Sequence, residues 1–323
     1  MPRAEDSPAR GDRITLLVPA YNEEEVIPVL VDRLESVADS LPAYDFTFLF
    51  VDDGSDDRTL ELIKDRAAAD PRIAWVSLSR NFGKESAMIA GLDHVDADAT
   101  VILDADLQDP PELIGRMIAA WEEGYEDVYA RRRSRAGESW LKKFTSHAFY
   151  TVLQHTTRVR LQMDTGDFRL LDRRCVSALR RFRETERYTK GMFSLIGFRK
   201  KEVLYDRAER AAGRTKWSYG GLLGLAIDGI TSFTTSPLRV ATVLGLLMAG
   251  TSFVHLIYIV SMSVFTDRRF HETTQMTATL ICIGGVQLFC LGIIGEYVGR
   301  IYKESKRRPL YFVEERHLRE RRP

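Results

Sequence analysis

The sequence predicts an α/β domain on a mostly parallel sheet, followed by a pair of long apolar helices. Three observations predict it. Short β-branched runs alternate with amphipathic stretches through the first 236 residues, the pattern of a sheet covered by helices on both faces. Acidic clusters follow three of the apolar runs, at the strand ends where such sheets bind ligands. Near Pro237 the composition changes, and two stretches without Asp, Glu, Lys or Arg follow, 27 residues at 240–266 and 23 residues at 273–295.

Taken in order, 14–18 reads as a first strand, with a helix near 24–41. A second strand at 46–51 precedes a helix at 57–69, and a third at 73–78 precedes a helix at 86–95. The fourth strand is 100–103, followed by a helix at 111–123. Strand–helix alternation of this length leads to parallel pairing, because each helix returns the chain to the same edge of the sheet.

The chain has 323 residues, room for a catalytic domain and something smaller. Its 46 basic and 46 acidic residues balance, which removes any net-charge argument for nucleic acid, and no nucleic-acid partner is expected. Three cysteines (Cys175, Cys282, Cys290) are too few and too odd a number for a disulfide framework.

A hydrocarbon core takes roughly 20 helical residues to cross. Each uncharged stretch is long enough, and the six residues 267–272 between them are enough to turn. The alternative is a pair of buried core helices. Arg239 precedes the first stretch, and Arg300, Lys303, Lys306, Arg307 and Arg308 follow the second. By the positive-inside rule a membrane hairpin with both ends in the cytoplasm is expected. Residues 1–13 hold no apolar stretch, so no cleaved signal peptide is expected.

After the first strand comes Pro19-Ala20-Tyr21-Asn22-Glu23, after the second Asp52-Asp53-Gly54-Ser55-Asp56-Asp57, and after the fourth Asp104-Ala105-Asp106-Leu107-Gln108-Asp109. Acidic clusters converging on one edge repel each other unless a cation or a donor-rich ligand sits among them. Helix capping and turn formation explain Asp56, Asp57 and Asp109, and explain Asp52 as well as a binding role does. They do not explain Asp104 and Asp106, alternate carboxylates directly after an apolar strand. Both can reach one hard cation, Mg²⁺ or Mn²⁺. No G-x-G-x-x-G follows the first strand and no G-x-x-x-x-G-K-[ST] occurs, so dinucleotide and P-loop sites lack their fingerprints.

Residues 131–143 set six cations, beginning with Arg131, against Glu138 alone. The stretch that follows places Trp140, Phe144 and Phe149 at roughly helical spacing, as in a helix lying in the headgroup layer; a core helix beside a solvated basic loop has the same pattern. A second patch, Arg210 to Ser218, combines Gly213 with Arg210, Arg214, Thr215 and Lys216, the residue types that hold phosphate. An ordinary juxtamembrane polybasic loop is the alternative.

These motifs, with Gly166-Asp167-Phe168-Arg169-Leu170, resemble in order and spacing the family 2 glycosyltransferases of GT-A fold. The match is closest to the polyisoprenyl-phosphate glycosyltransferases, which include the dolichyl-phosphate mannose synthase type and bacterial undecaprenyl-phosphate glucosyltransferases. The resemblance implies a GT-A domain at 13–217 after a flexible 1–12, with a membrane-surface helix near 139–157. It further implies a juxtamembrane helix at 218–237, two spans within 238–300 and a basic tail at 301–323. Pro19, Tyr21, Glu23, Asp52, Asp53, Asp104 and Ala105 would bind the nucleotide sugar. Asp104, Asp106 and Gln108 would place Mg²⁺ or Mn²⁺ on the donor diphosphate. Asp167 would be the catalytic carboxylate, with Asp106 beside it, and Arg131, Arg210, Thr215 and Lys216 would hold the acceptor phosphate.

The implied reaction is inverting transfer of one sugar, UDP-glucose being the first choice of donor, to undecaprenyl phosphate at a bacterial plasma membrane. N-acetylglucosamine, mannose and aminoarabinose donors stay open, and a homo-oligomer is possible. A processive polysaccharide synthase would need a Q-x-x-R-W motif, which does not appear. A membrane scaffold that binds nucleotide sugar without chemistry is the non-enzymatic alternative.

Overall fold

The computed structural model describes residues 11–132, 165–184, 189–205, 236–265 and 272–319. The chain forms two units, one of Met1–Gln154, Arg158–Trp217 and Pro309–Pro323, the other of His155–Thr157 and Ser218–Arg308. The first holds an eight-stranded sheet. Its strands are β1 (Arg13–Ala20), β2 (Asp45–Asp52), β3 (Ile73–Leu78), β4 (Ala99–Ile102), β5 (Asp127–Arg132), β6 (Thr165–Asp172), β7 (Lys200–Tyr205) and β8 (Val313–His317). Their order is β7-β5-β6-β4-β1-β2-β3-β8.

The four expected strands lie side by side and parallel, as the alternation predicted. Helices α1 (Ile27–Asp39), α2 (Thr59–Ala69) and α3 (Lys84–His94) make the returns, and α4 (Ile114–Glu122) follows a 3₁₀ turn at Pro111–Leu113. In α1 the buried positions Ile27, Leu30, Val31, Leu34, Val37 and Ala38 fall at helical spacing, and Pro28 fixes the start. Period-two alternation sends Phe46, Phe48 and Phe50 of β2 into one core and Leu49 and Val51 into a second core on the opposite face. Each such fully buried side chain contributes roughly 1.5–3 kcal/mol. In α3, a Cβ at Gly91 would come within 2.1 Å of Leu17 Cδ1, so this glycine lets the helix lie close on β1.

Beyond β4 the sheet is mixed. β6 runs antiparallel to β4 and β5, and β7 is parallel to β5. Two short helices, α5 (Arg173–Leu179) and α6 (Thr189–Leu195), cover this half. Arg169 of β6 is fully buried, 3.4 Å from Asp127 of β5 and stacked 3.6 Å over the Phe193 ring, while Lys200 pairs with the same aspartate at 3.2 Å.

The basic tail expected at 301–323 differs in the structure. Residues 301–305 end a helix, and Val313–His317 becomes β8, paired antiparallel with β3. Beside that ladder, Leu310, Tyr311, Val313 and Leu318 pack against the core, and polar side chains add further ties. Glu315 pairs with Lys64, the Tyr311 hydroxyl donates to Asp93, and Arg319 donates to Asp45 and to the Phe46 carbonyl.

The second unit contains α7 (Ser236–Phe265) and α8 (Glu272–Ser305), 30 and 34 residues that pack against each other. Leu247, Phe253, Val254, Leu280, Leu288 and Leu291 are exposed on them. Among the described residues no helix is long and apolar enough to cross a membrane; side chains at positions such as 242, 246 and 249 fall outside that set. The expected surface helix at 139–157 lies outside the described residues, as does all of the juxtamembrane segment before residue 236.

Candidate active site

The order β3-β2-β1-β4 reverses direction between β1 and β4. A crevice opens at such a reversal, beyond the carboxyl ends of the strands. A pocket of about 290 Å³ lies there. Strand β1 contributes Pro19 and Ala20, the turn after it Tyr21 and Glu23, and the end of β2 Asp53. The loop before α3 adds Asn81 and Gly83, α3 adds Lys84 and Ala87, and the end of β4 adds Asp104, Ala105 and Asp106.

Local chemistry shapes each wall. Asn22 adopts φ 54°, a left-handed conformation that asparagine tolerates. Its amide donates to Ser55 Oγ at 3.0 Å, and its own Oδ1 accepts from the Asp56 amide at 2.9 Å. The Glu23 amide donates to Thr59 Oγ1 at 2.8 Å. The loops after β1 and β2 are therefore stitched together. Asp53 is buried and accepts from the Phe82 and Gly83 amides, both at 2.8 Å. Gly54 permits this approach. At φ 66°, a Cβ there would meet the Arg80 carbonyl carbon at 2.4 Å.

Asp104 and Asp167 meet through strand register. The β4–β6 ladder pairs Ile102 with Arg169, so continuing it by two residues sets Asp104 opposite Asp167. Between them stands Lys84, its Nζ 2.7 Å from Asp104 Oδ1 and 2.5 Å from Asp167 Oδ2. Burial lowers the lysine's proton affinity, but the two carboxylates outweigh it and hold the ammonium well above the usual lysine range. Burial raises the Asp104 pKa, against Lys84 and with help from Asp167. Glu23 is raised as well, first by burial and then by Asp106, Asp57 and Asp104. The pocket thus carries more negative charge than its own cation neutralises.

The structure brings Pro19, Tyr21, Glu23, Asp53, Asp104, Ala105 and Asp106 to one pocket, with Asp167 behind Lys84. Asp52 stands apart. It is buried, accepting from Ser77 Oγ at 2.9 Å and the Ser55 amide at 3.2 Å, the turn-forming role its position also allowed. Gln108 is buried and absent from the pocket wall, and its carboxamide has no hydrogen-bond partner among the described residues. Leu107 before it takes φ 54°, unusual for a bulky side chain. Among the described residues no three His, Cys, Asp or Glu side chains converge to hold a metal. Arg131 pairs with Glu202 on β7 at 2.8 Å, away from the pocket. Arg210, Thr215 and Lys216 lie outside the described residues.

Sequence reasoning passed over Asn81, Gly83 and Lys84. The signal was present, because Asn81-Phe82-Gly83-Lys84 follows β3 on the same edge of the sheet. These four residues include no carboxylate, so they lack the charge crowding that marks the other three loops.

A parallel half-sheet with an acidic pocket at its reversal point, flanked by a mixed half, fits the GT-A fold. The chain belongs to glycosyl transferase family 2, whose model matches residues 15–180. Residues 236–301 match the GtrB C-terminal hairpin family. The chain is 42% identical over 306 residues to an uncharacterised glycosyltransferase of Bacillus subtilis, YkcC, covering 95% of this chain and 94% of that one. It is 38% identical to the bactoprenol glucosyl transferase of Shigella phage SfX, over 94% of this chain and 99% of that one. Among solved structures, it is similar to a mannosyltransferase from Pyrobaculum calidifontis at 14% identity, covering 90% of this chain and 88% of that one, with a TM-score of 0.47; a likeness that weak carries no argument.

Proposed function

We propose that this glycosyltransferase moves a single sugar, glucose from UDP-glucose in the first instance, to a polyprenyl phosphate at a bacterial plasma membrane. The observation that carries this reading is the 38% identity to a bactoprenol glucosyl transferase, which extends over 94% of this chain and so includes the hairpin. Support for a bilayer comes from the 27- and 23-residue uncharged stretches and from the exposed leucines and phenylalanines of α7 and α8. The cations that follow α8 favour a cytoplasmic catalytic unit.

The pocket's chemistry suits a nucleotide diphosphate bound with a divalent ion. Mg²⁺ needs only one or two carboxylates plus substrate phosphates, and Asp104 with Asp106 supplies such a pair. Burial first, and neighbouring carboxylates after it, raise Glu23 and Asp104, and a cation among them would favour their charged forms. Bound there, the ion would stabilise the charge that leaves with the diphosphate. Tyr21 and Glu23 would orient the nucleoside, and the Asp53 carboxylate would keep the Asn81–Lys84 wall in place.

A phosphate monoester has its second pKa near 6, so the acceptor oxygen is already ionised at neutral pH. Asp167 then has no proton to remove. Its role is to orient the acceptor or to support the positive charge that develops at the sugar's anomeric carbon. One in-line displacement inverts that carbon, so an α-linked donor gives a β-linked lipid sugar. The test offers a panel of UDP- and GDP-sugars with Mg²⁺ and undecaprenyl phosphate to the purified full chain. A β-linked polyprenyl-phosphate hexose is expected; an α-linked product, or none from any donor, would refute the reading.

A further inference from the structure

Lys84 is the first residue of α3, and its backbone follows directly on the Phe82 and Gly83 amides that Asp53 holds. From that fixed start its side chain reaches the end of β4 and the start of β6, contacting Asp104 at 2.7 Å and Asp167 at 2.5 Å. Among the described residues it is the cation lining the pocket, and its side chain is 44% exposed there. The Asp167 side chain is only 13% exposed and does not line the wall. Among the described residues, Lys84 stands between the pocket and Asp167.

An ammonium group carries three N–H donors. One donates to Asp167 Oδ2 and a second can face Asp104 Oδ1, which ion-pairs with the same nitrogen, so one remains for a group in the pocket that Lys84 lines. We propose that Lys84 is a positioning residue of the transfer site that clamps Asp104 to Asp167 with two donors and offers the third to a phosphate oxyanion entering the pocket. The inference rests on reading the pocket as the nucleotide-sugar site. The oxyanion belongs either to the donor diphosphate or to the lipid phosphate, which present the same chemistry. With the clamp in place, Asp167 is held still, and the incoming phosphate meets a cation before it meets the acidic wall.

The experiment uses the full chain with Lys84→Gln and Lys84→Arg. UDP-glucose binding is measured by calorimetry, and kcat and KM for undecaprenyl phosphate in steady state. Losing a charge-assisted hydrogen bond to phosphate lowers affinity by roughly 10–100-fold. Lys84→Gln should show that loss together with a fall in kcat, and Lys84→Arg, which keeps charge and donors, should recover most of both. Weaker donor binding with unchanged acceptor KM assigns the oxyanion to the donor; the converse assigns it to the lipid. Binding, KM and kcat all staying within about threefold of wild type in Lys84→Gln would overturn the proposal. A fall in kcat alone, or an arginine variant as impaired as the glutamine one, would overturn it too. Hydrogen exchange at the Phe82 and Gly83 amides checks that the loop is still folded. Donor binding needs no acceptor. If wild type binds UDP-glucose through Lys84 yet transfers nothing to lipid phosphate, the acceptor reading fails and the role of Lys84 stands.

Discussion

Replacing Asp53 with alanine removes the anchor of one pocket wall. The carboxylate takes the Phe82 and Gly83 amides at 2.8 Å each and so fixes the turn that leads into Lys84. A hydrogen bond to a charged group contributes roughly 1.5–3 kcal/mol. Here the figure is at the low end, because both donors are only half-buried and burial already pushes the Asp53 pKa up. The pair together should be worth about 3 kcal/mol on that scale. For a unit of this size, that corresponds to a melting point lowered by roughly 6–12 °C. Hydrogen exchange is the sharper assay, since the Phe82 and Gly83 amides should lose protection while those of β1 and β2 keep theirs. Asp53→Asn retains one acceptor oxygen and should fall between. Unchanged protection at residues 82 and 83, with melting within a degree of wild type, would refute this account of the wall.

Two further outcomes follow from the same geometry. Gly54→Ala adds a Cβ 2.4 Å from the Arg80 carbonyl carbon at φ 66°, whereas Gly83→Ala at φ 92° meets nothing within 4 Å. The second change should cost only its backbone conformation, φ 92° with ψ 152°, which is essentially reserved for glycine, about 1–3 kcal/mol, and the first should add a further roughly 1–3 kcal/mol for the clash; a loss at Gly54 no larger than that at Gly83 in denaturant titration would contradict this. The pH dependence comes from Glu23, whose pKa lies above its ordinary 4.5 because of burial and then Asp106, Asp57 and Asp104. The folded state holds this proton more tightly than the unfolded chain, so its contribution to stability falls as pH rises through the raised value, and it levels off below 4.5. Asp57 behaves oppositely. Burial raises it, but hydrogen bonds from Thr59 and Glu24 outweigh burial, so its stabilisation is lost as pH drops below the ordinary aspartate range. Melting curves of wild type and Glu23→Gln between pH 7 and 4.5 should differ in slope; parallel curves would count against the crowded acidic wall.

The legible part of this fold was its first half. The expected third strand, 73–78, is β3 to the residue, because a fully buried strand reads as a continuous apolar run with its own turn signals. The helix expected at 24–41 spans Ile27–Asp39, its apolar face intact and its first residues absorbed into the pocket turn. β8 was not legible. VEERH has no apolar alternation, and it joins the sheet by pairing with β3, more than 230 residues earlier in the chain, with Glu315 reaching Lys64, a partnership no local pattern encodes. In the site, the alternate aspartates 104 and 106 stood out because their charges sit beside an apolar strand. Lys84 did not, because its meaning lies in Asp104 and Asp167, 20 and 83 residues away in sequence. Asp52 and Asp53 are adjacent and alike on paper. Strand alternation sends one into the core against Ser77 and the other to the pocket, a distinction that needs the register.

The most direct measurement is the transfer of labelled glucose from UDP-glucose to undecaprenyl phosphate by the purified chain, for wild type and for Asp104→Asn with Asp106→Asn. The account predicts labelled glycolipid from wild type with Mg²⁺ or Mn²⁺, its disappearance in chelator, and a loss of at least about a hundredfold in the double variant. Undiminished glycolipid in chelator or from the double variant would contradict it.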